Sequence, residues 1–179
     1  MEDRDFNEIV RKYQKKIYYL CYRMVENEED AKDLSQEVFV KVYLKLKDFK
    51  GKSSLFTWIY RIACNICINF TKKKKIKFEE LKPETTADSA NPEKDLQKKY
   101  LSIQIEKAIN TLPPKQRAVF VMRNYENLQH KEIAEILGKS LGTVKSNYHQ
   151  AVFKLRELLA PLSGVGNRHA CSLQKRRSI

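Results

Sequence analysis

Only five glycines and five prolines punctuate the 179 residues, and no stretch alternates apolar with polar side chains. A fold of strands joined by tight turns is therefore excluded, and every ordered segment is expected to be helical. The four cysteines, Cys21, Cys64, Cys67 and Cys171, are too few and too scattered for a disulfide framework in a chain of this size. They read as reduced thiols. No apolar run is long enough to span a bilayer and no signal peptide is legible, so the expected location is cytoplasmic, without membrane insertion. No nucleophile paired with a base stands out, nor any glycine-rich phosphate loop, and an enzyme is not expected. Acidic residues are missing altogether from positions 139 to 156, where an ordinary solvated helix would carry some.

What is abundant is positive charge: 35 Lys and Arg stand against 22 Asp and Glu, a net +13. The excess sits in two places. Residues 49–82 hold nine basic residues against two acidic, and residues 139–179 hold eight against one. Two separated basic patches form a bipartite footprint for a polyanion, and nucleic acid is the simplest partner.

The second patch has a legible geometry. Ile133, Ala134 and Leu137 recur three or four apart, Gly138-Lys139-Ser140 interrupts, and Val144, Tyr148, Val152 and Leu155 resume at helical spacing. Gly138 suits the left-handed residue that ends a helix, Ser140 can cap the next, and small Ala134 lets two helices cross closely. This is a helix-turn-helix. The outer side of its second helix carries Thr143, Lys145, Ser146, Asn147, His149 and Gln150, a donor-rich set suited to base edges and phosphates in a major groove.

Upstream, Phe6, Ile9, Val10, Tyr13, Ile17, Leu20, Cys21 and Met24 predict an amphipathic helix over 5–25. A second helix follows over 31–47, with Ala31, Leu34, Val38 and Val42 on one side, and a third over 54–71, with Leu55, Ile59, Ile62, Ile66 and Phe70. The expected fold is all-α, in two small helical domains at 1–75 and 100–160. A flexible linker is expected at 76–99, where Pro83, Pro92 and small polar residues show no apolar period, and a disordered basic tail at 161–179. Cys64 and Cys67 are spaced as C-x-x-C, and His169 with Cys171 would complete four zinc ligands. Inside a helix, however, that pair lacks the knuckle turn of a zinc site, and neither a metal nor another cofactor is expected.

The first basic patch interleaves aromatics with cations: Phe49, Lys50, Lys52, Phe56, Trp58, Tyr60, Arg61 and then Lys72 to Lys75. Aromatic faces hold unstacked bases while Lys and Arg track phosphates, an arrangement for single strands. Phe56 and Trp58 lie near the buried stripe and fit a core role; Phe49, Tyr60 and Asn65 are the better candidates for a base platform. Asp30, Asp33, Gln36 and Glu37 instead form an acidic cluster on the preceding helix. It reads either as a solvated first turn favoured by the helix dipole or as a protein-docking surface.

These segments together resemble the extracytoplasmic-function (ECF) branch of the bacterial sigma factor family over roughly Phe6 to Leu159. Asp30-Ala31-Lys32-Asp33-Leu34-Ser35-Gln36-Glu37-Val38-Phe39 resembles the family's DAEDLVQETF, and Thr57-Trp58-Ile59-Tyr60-Arg61-Ile62-Ala63 resembles TWLYRIA. Leu112-Pro113-Pro114-Lys115-Gln116-Arg117, Glu132 to Gly138 and Gly142-Thr143-Val144-Lys145-Ser146 add further matches in order. The resemblance implies a transcription initiation factor with core RNA polymerase and promoter DNA as partners. The implied contacts on the polymerase are the clamp coiled coil of the largest subunit and the flap of the second. An anti-sigma factor is a further implied partner.

Carried over by position, the resemblance places Asp33, Gln36 and Glu37, beside Asp30, on the clamp-docking helix. Phe49, Lys50 and Gly51 fall in the loop that captures a flipped base of the -10 element, with Arg61 and Asn65, near Tyr60, lining that site. Lys145, Ser146, His149 and Gln150 fall on the -35 recognition face, and His130 and Lys131 on its flank. Three departures stand out. Cys64 replaces a frequently polar or basic residue, and Asn147-Tyr148 replaces an Arg and an aliphatic residue. Gln129 replaces a Ser cap, which should weaken that helix start by roughly 1 kcal/mol. The alternative reading is a free-standing helix-turn-helix regulator on duplex operator DNA, which leaves the basic, aromatic first lobe unexplained.

Overall fold

The computed structural model describes residues 3–80 and 94–163, with side chains described over 6–74 and 100–161. Among them every regular element is helical: α1 (Asp3–Val25), α2 (Glu28–Lys45), α3 (Leu55–Glu80), α4 (Lys94–Asn110), α5 (Pro114–Asn124), α6 (His130–Leu137) and α7 (Leu141–Leu159). Short 3-10 turns cover Leu46–Asp48 and Ala160–Ser163.

The helix boundaries follow from local chemistry. The Asn27 side chain accepts a hydrogen bond from the Asp30 amide at 2.9 Å, starting α2 beneath Glu28, Glu29 and Asp30, acids that the positive end of the helix dipole favours. Ser54 Oγ accepts from the Thr57 amide at 3.1 Å at the start of α3. Pro114 opens α5 in the first turn, where its missing N–H costs nothing. Gly138 ends α6 with φ +60, and Ser140 Oγ accepts from the Thr143 amide at 3.1 Å to start α7. The expected weak start at Gln129 is partly offset, because its amide donates to Glu132 Oε2 at 2.7 Å, the reciprocal half of a capping box.

Two expected boundaries are corrected. Helix α3 continues to Glu80 and α4 begins at Lys94, so both ends of the segment read as a linker at 76–99 are helical. Lys and Glu propagate a helix without any apolar stripe, and loss of periodicity therefore marked loss of burial, not loss of helix. Likewise Ala160–Ser163 is a 3-10 turn that reaches into the expected tail; the rest of that tail and residues 81–93 lie outside the described residues.

In the first lobe, Ile17, Leu20 and Met24 of α1 pack with Val38 and Val42 of α2 and Ile59 and Ala63 of α3, all without exposure. In the second, Val119 and Met122 of α5 meet Ile133 and Ile136 of α6 and Val144 and Ala151 of α7. The two cores form one continuous apolar cluster. Helix α3 packs against α5 and α6, and α1 against α5. The lobes are thus docked together, where the sequence predicted only that they are tethered.

Arg117 is a buried polar tie across the seam. Its Nη1 donates to Met24 O at the end of α1 at 2.7 Å, and its Nη2 donates to Asn110 O at the end of α4 and to Leu112 O in the turn before α5. Burial pulls the guanidinium below its ordinary pKa, and the nearby Glu26 carboxylate opposes the shift.

Candidate nucleic-acid interfaces

Helix α7 presents Thr143, Lys145, Ser146, His149 and Gln150 to solvent, with Asn147 half-buried beside them. Val144, Ala151 and Leu155 point the other way, into the core. The surface is partly ordered by its own bonds. Gln116 Nε2 donates to Gln150 Oε1 at 2.8 Å, which turns the Gln150 amide group toward Ser146 Oγ, 3.5 Å away. Thr143 is partly committed to structure, because its hydroxyl lies 2.9 Å from the capping Ser140 hydroxyl. The departure at Tyr148 has a packing role: its ring stacks near Phe120 at 6.3 Å and meets His130 edge-on at 5.1 Å.

His130 is half-buried at the first turn of α6, and Lys131 beside it is exposed. Desolvation first, then the cations Arg123 and Lys145, hold the His130 imidazole below its ordinary pKa. The neutral ring is favoured in the folded chain. Any stability it contributes is complete above the unfolded value near 6.5 and is lost as pH falls through the lowered folded pKa. If the expected -35 face sits on duplex DNA, phosphates near the ring would oppose the repulsion from Arg123 and Lys145, though not the desolvation, and so favour its protonated form. The expected result is a twofold to threefold rise in duplex affinity between pH 7 and pH 6, with part of the rise lost in His130→Gln. An identical pH profile for the two proteins, measured by fluorescence anisotropy, would contradict this.

In the first lobe, Lys50 and Gly51 are exposed in the loop before α3, and Gly51 has φ +67, a left-handed geometry that favours glycine. Phe49 is half-buried and its ring lies 5.1 Å from Trp58, which anchors the loop on α3. Phe56 packs 4.1 Å from Tyr60, in keeping with a core role. Asn65 is exposed one helical turn beyond Arg61.

Tyr60 and Arg61 are not free. Tyr60 has no exposed surface, and its hydroxyl donates to Glu126 Oε2 of the second lobe at 3.0 Å. Burial, reinforced by the Glu126 carboxylate, pushes this phenol well above its ordinary pKa. Arg61 donates from Nη2 to Glu135 O at 2.6 Å and from Nε to Ile136 O at 3.2 Å, on the last turn of α6.

The acidic cluster on α2 divides in two. Asp33, Gln36 and Glu37 are exposed, with Glu37 paired to Lys41 at 2.6 Å along the same helix. Asp30 instead binds Lys74 of α3 at 2.7 Å, which ties the basic run of the third helix to one end of the cluster.

Next to Gln36 lies a feature that the sequence reading missed. A groove of about 1010 Å³ runs between α1 and α2, lined by Phe6, Tyr18, Phe39, Val40, Tyr43 and Leu44 among others. Leu44 is 69% exposed, Val40 57% and Tyr43 52%. The available signal was three large apolar residues on α2 off its buried stripe of Ala31, Leu34, Val38 and Val42.

The three described cysteines are buried and structural in their surroundings. Cys64 lies 3.8 Å from the Met122 sulfur and Cys67 lies 3.6 Å from Cys21. Burial pushes the Cys64 thiol up to about 12, and the hydrogen bond to Cys21, then burial, raises Cys67. Thiols held protonated in this way are poor nucleophiles. His169 and Cys171, the other residues of the zinc reading, lie outside the described residues.

Two family models match the chain: Sigma-70 region 2 over residues 9–76 and Sigma-70 region 4 over residues 102–155. The chain is 36% identical over 172 residues to the ECF RNA polymerase sigma factor SigW of Bacillus subtilis, covering 89% of this chain and 92% of that protein. It is 34% identical over 164 residues to the RNA polymerase sigma factor YlaC of the same organism, covering 88% and 94%. The solved structure of the sigma factor RpoE in complex with the anti-sigma factor NepR, from Bartonella quintana, shares the fold. It has a TM-score of 0.66 at 24% identity over 87% of this chain and 97% of that one.

Proposed function

The chain belongs to the ECF RNA polymerase sigma factor family, and on that premise we propose that it reads promoters at two points while bound to core polymerase. The second lobe reads the -35 element as duplex, with Lys145, Ser146, His149 and Gln150 in the major groove and His130 and Lys131 at its edge. The first lobe reads the -10 element as a melted strand, with Phe49, Lys50 and Gly51 at the captured base and Tyr60, Arg61 and Asn65 along the adjoining helix. Extruding a base costs a few kcal/mol, which contacts to the freed strand offset.

The observation that carries this reading is the exposed face of α7, free of acidic residues from its start to Arg156, on a capped helix-turn-helix, in a chain whose other basic, aromatic surface lies on a separate lobe. A stand-alone regulator has no use for the second surface. Docking on polymerase falls to Asp33, Gln36 and Glu37 and to the apolar groove beside them. Exposed Val40, Tyr43 and Leu44 suit the ridge of a helical coiled coil. RpoE was solved with an anti-sigma factor, and a regulator of that class is proposed for this chain also.

Run-off transcription with core polymerase on matched promoters tests the reading. Promoter-specific initiation is expected. Duplex binding without initiation on any promoter would favour the stand-alone regulator. Lys145→Ala combined with His149→Ala should weaken -35 duplex binding roughly tenfold and spare polymerase binding, since both side chains are exposed on α7. A loss of polymerase affinity in that variant would contradict the division of labour between the lobes.

A further inference from the structure

Gln150 stands exposed on the outer face of α7, and its amide group can present either an acceptor or donors to a base. Which of the two faces the groove decides the base that fits. Its Oε1 accepts from Gln116 Nε2 at 2.8 Å, while its own Nε2 lies 3.5 Å from Ser146 Oγ, one helical turn back on the same face. The oxygen is therefore turned toward α5 and the nitrogen toward the recognition face. Each group in the row Gln116, Gln150, Ser146 donates to the next, so the Ser146 hydroxyl keeps its hydrogen for an outside acceptor. Both Gln150 and Ser146 then offer donors.

Gln116 belongs to neither helix of the helix-turn-helix. It is half-buried in the first turn of α5, directly before Arg117, Ala118 and Val119, which are buried, so core packing fixes where its side chain starts. The contact is flanked along both helices. Tyr148 stacks near Phe120 with ring centres 6.3 Å apart on one side, and Lys154 Nζ donates to Thr111 O at 3.2 Å on the other. The register of α7 along α5 is thus pinned around the glutamine pair.

We propose that Gln116 is a specificity-positioning residue for the -35 element: it holds the Gln150 amide so that Gln150, with Ser146, offers donors to the groove and selects guanine over adenine at the base pair Gln150 meets. The inference rests on the -35 assignment above. Guanine shows two adjacent acceptors, N7 and O6, in the major groove, which match a face of N–H and O–H donors. Adenine is best met by a glutamine that donates to N7 while its oxygen accepts from N6, and the Gln116 bond draws that oxygen away. Acidic side chains, another source of acceptors, are missing from α7 as far as Arg156. Selection therefore originates off the recognition helix.

The test uses the full chain assembled with core polymerase and a promoter fragment that this holoenzyme transcribes, with each -35 base pair changed in turn to the other three. Gln150→Ala identifies the pair that Gln150 meets, as the position where base preference collapses. At that pair the wild type should bind the guanine duplex about fivefold more tightly than the adenine duplex. Gln116→Leu, which keeps the bulk without the donor, should abolish the preference. Gln116→Glu can only accept, so it should pair with Gln150 Nε2, turn the Gln150 oxygen outward and favour adenine. Ratios within one variant cancel any uniform loss from altered charge or folding. An unchanged guanine preference in Gln116→Leu would overturn the inference, as would a wild-type preference for a base other than guanine. A shift confined to some other base pair would mean that Gln116 reads DNA directly, and would overturn positioning through Gln150. Should Gln150→Ala leave every preference intact, the groove assignment of Gln150 falls and the inference with it. Failure of the Gln116 variants alone leaves the promoter reading standing.

Discussion

Replacing Val40 and Leu44 together with aspartate is expected to reduce binding to core polymerase at least a hundredfold. Large apolar side chains that stand 57% and 69% exposed beside a groove behave as anchors when a partner helix fills it. Truncation of an interface residue that acts as a hot spot costs about 2 kcal/mol or more, and a buried carboxylate adds its own desolvation. In the free protein the same changes face water, so thermal stability should stay within about 0.5 kcal/mol of wild type. Asp33→Ala with Glu37→Ala should weaken polymerase binding less, because exposed charges at a rim contribute modestly and Glu37 is already partnered by Lys41. Surface-based binding measurements with core polymerase, alongside thermal melts, separate the outcomes. A Val40→Asp, Leu44→Asp protein that binds polymerase like wild type would exclude the groove from docking.

The second large effect is on stability. Arg117→Ala is expected to destabilise the fold by about 3 kcal/mol, from charge-assisted hydrogen bonds worth roughly 1.5 to 3 kcal/mol each, offset by release of a costly buried cation. For a chain of this size that corresponds to a fall in melting temperature of about 6 to 12 °C. The carbonyls of Met24, Asn110 and Leu112 lose their shared donor, and buried acceptors without partners are expensive. Because one of those carbonyls belongs to α1, one to the last residue of α4 and one to the turn before α5, both lobes should soften together. Hydrogen exchange should quicken at the end of α1 as well as in α5. Exchange confined to the second lobe would show that the tie to Met24 carries no weight.

Much of the architecture was legible from side-chain spacing. Ala31, Leu34, Val38 and Val42 were read as the inner stripe of α2, and all four are buried. Gly138 and Ser140 were read as the stop and start of the helix-turn-helix, and they take the left-handed and capping geometries required. Such features depend on residues within a turn or two of one another, so local sequence carries them. The end of α3 was misread because its lysine-rich run keeps helical propensity after burial ends. The groove was overlooked because exposed apolar residues on α2 have no periodic signature of their own. Arg117 was visible within Leu112 to Arg117 only as part of a motif; its partner on α1 lies 93 positions away.

By itself, the sequence determined the all-helical elements, two regions of basic charge and the donor-rich face of α7, because periodicity, capping and charge are properties of neighbouring residues. Only the tertiary structure decided that the lobes are closed on one another, that Arg61 and Tyr60 are engaged while Lys145 and His149 are open, and that an apolar groove flanks Gln36. The engagement of Tyr60 and Arg61 depends on hydrogen bonds between residues more than 60 positions apart, and the groove on how α1 seats against α2. Contacts of that kind arise from how preformed helices dock, and no short stretch of sequence specifies them.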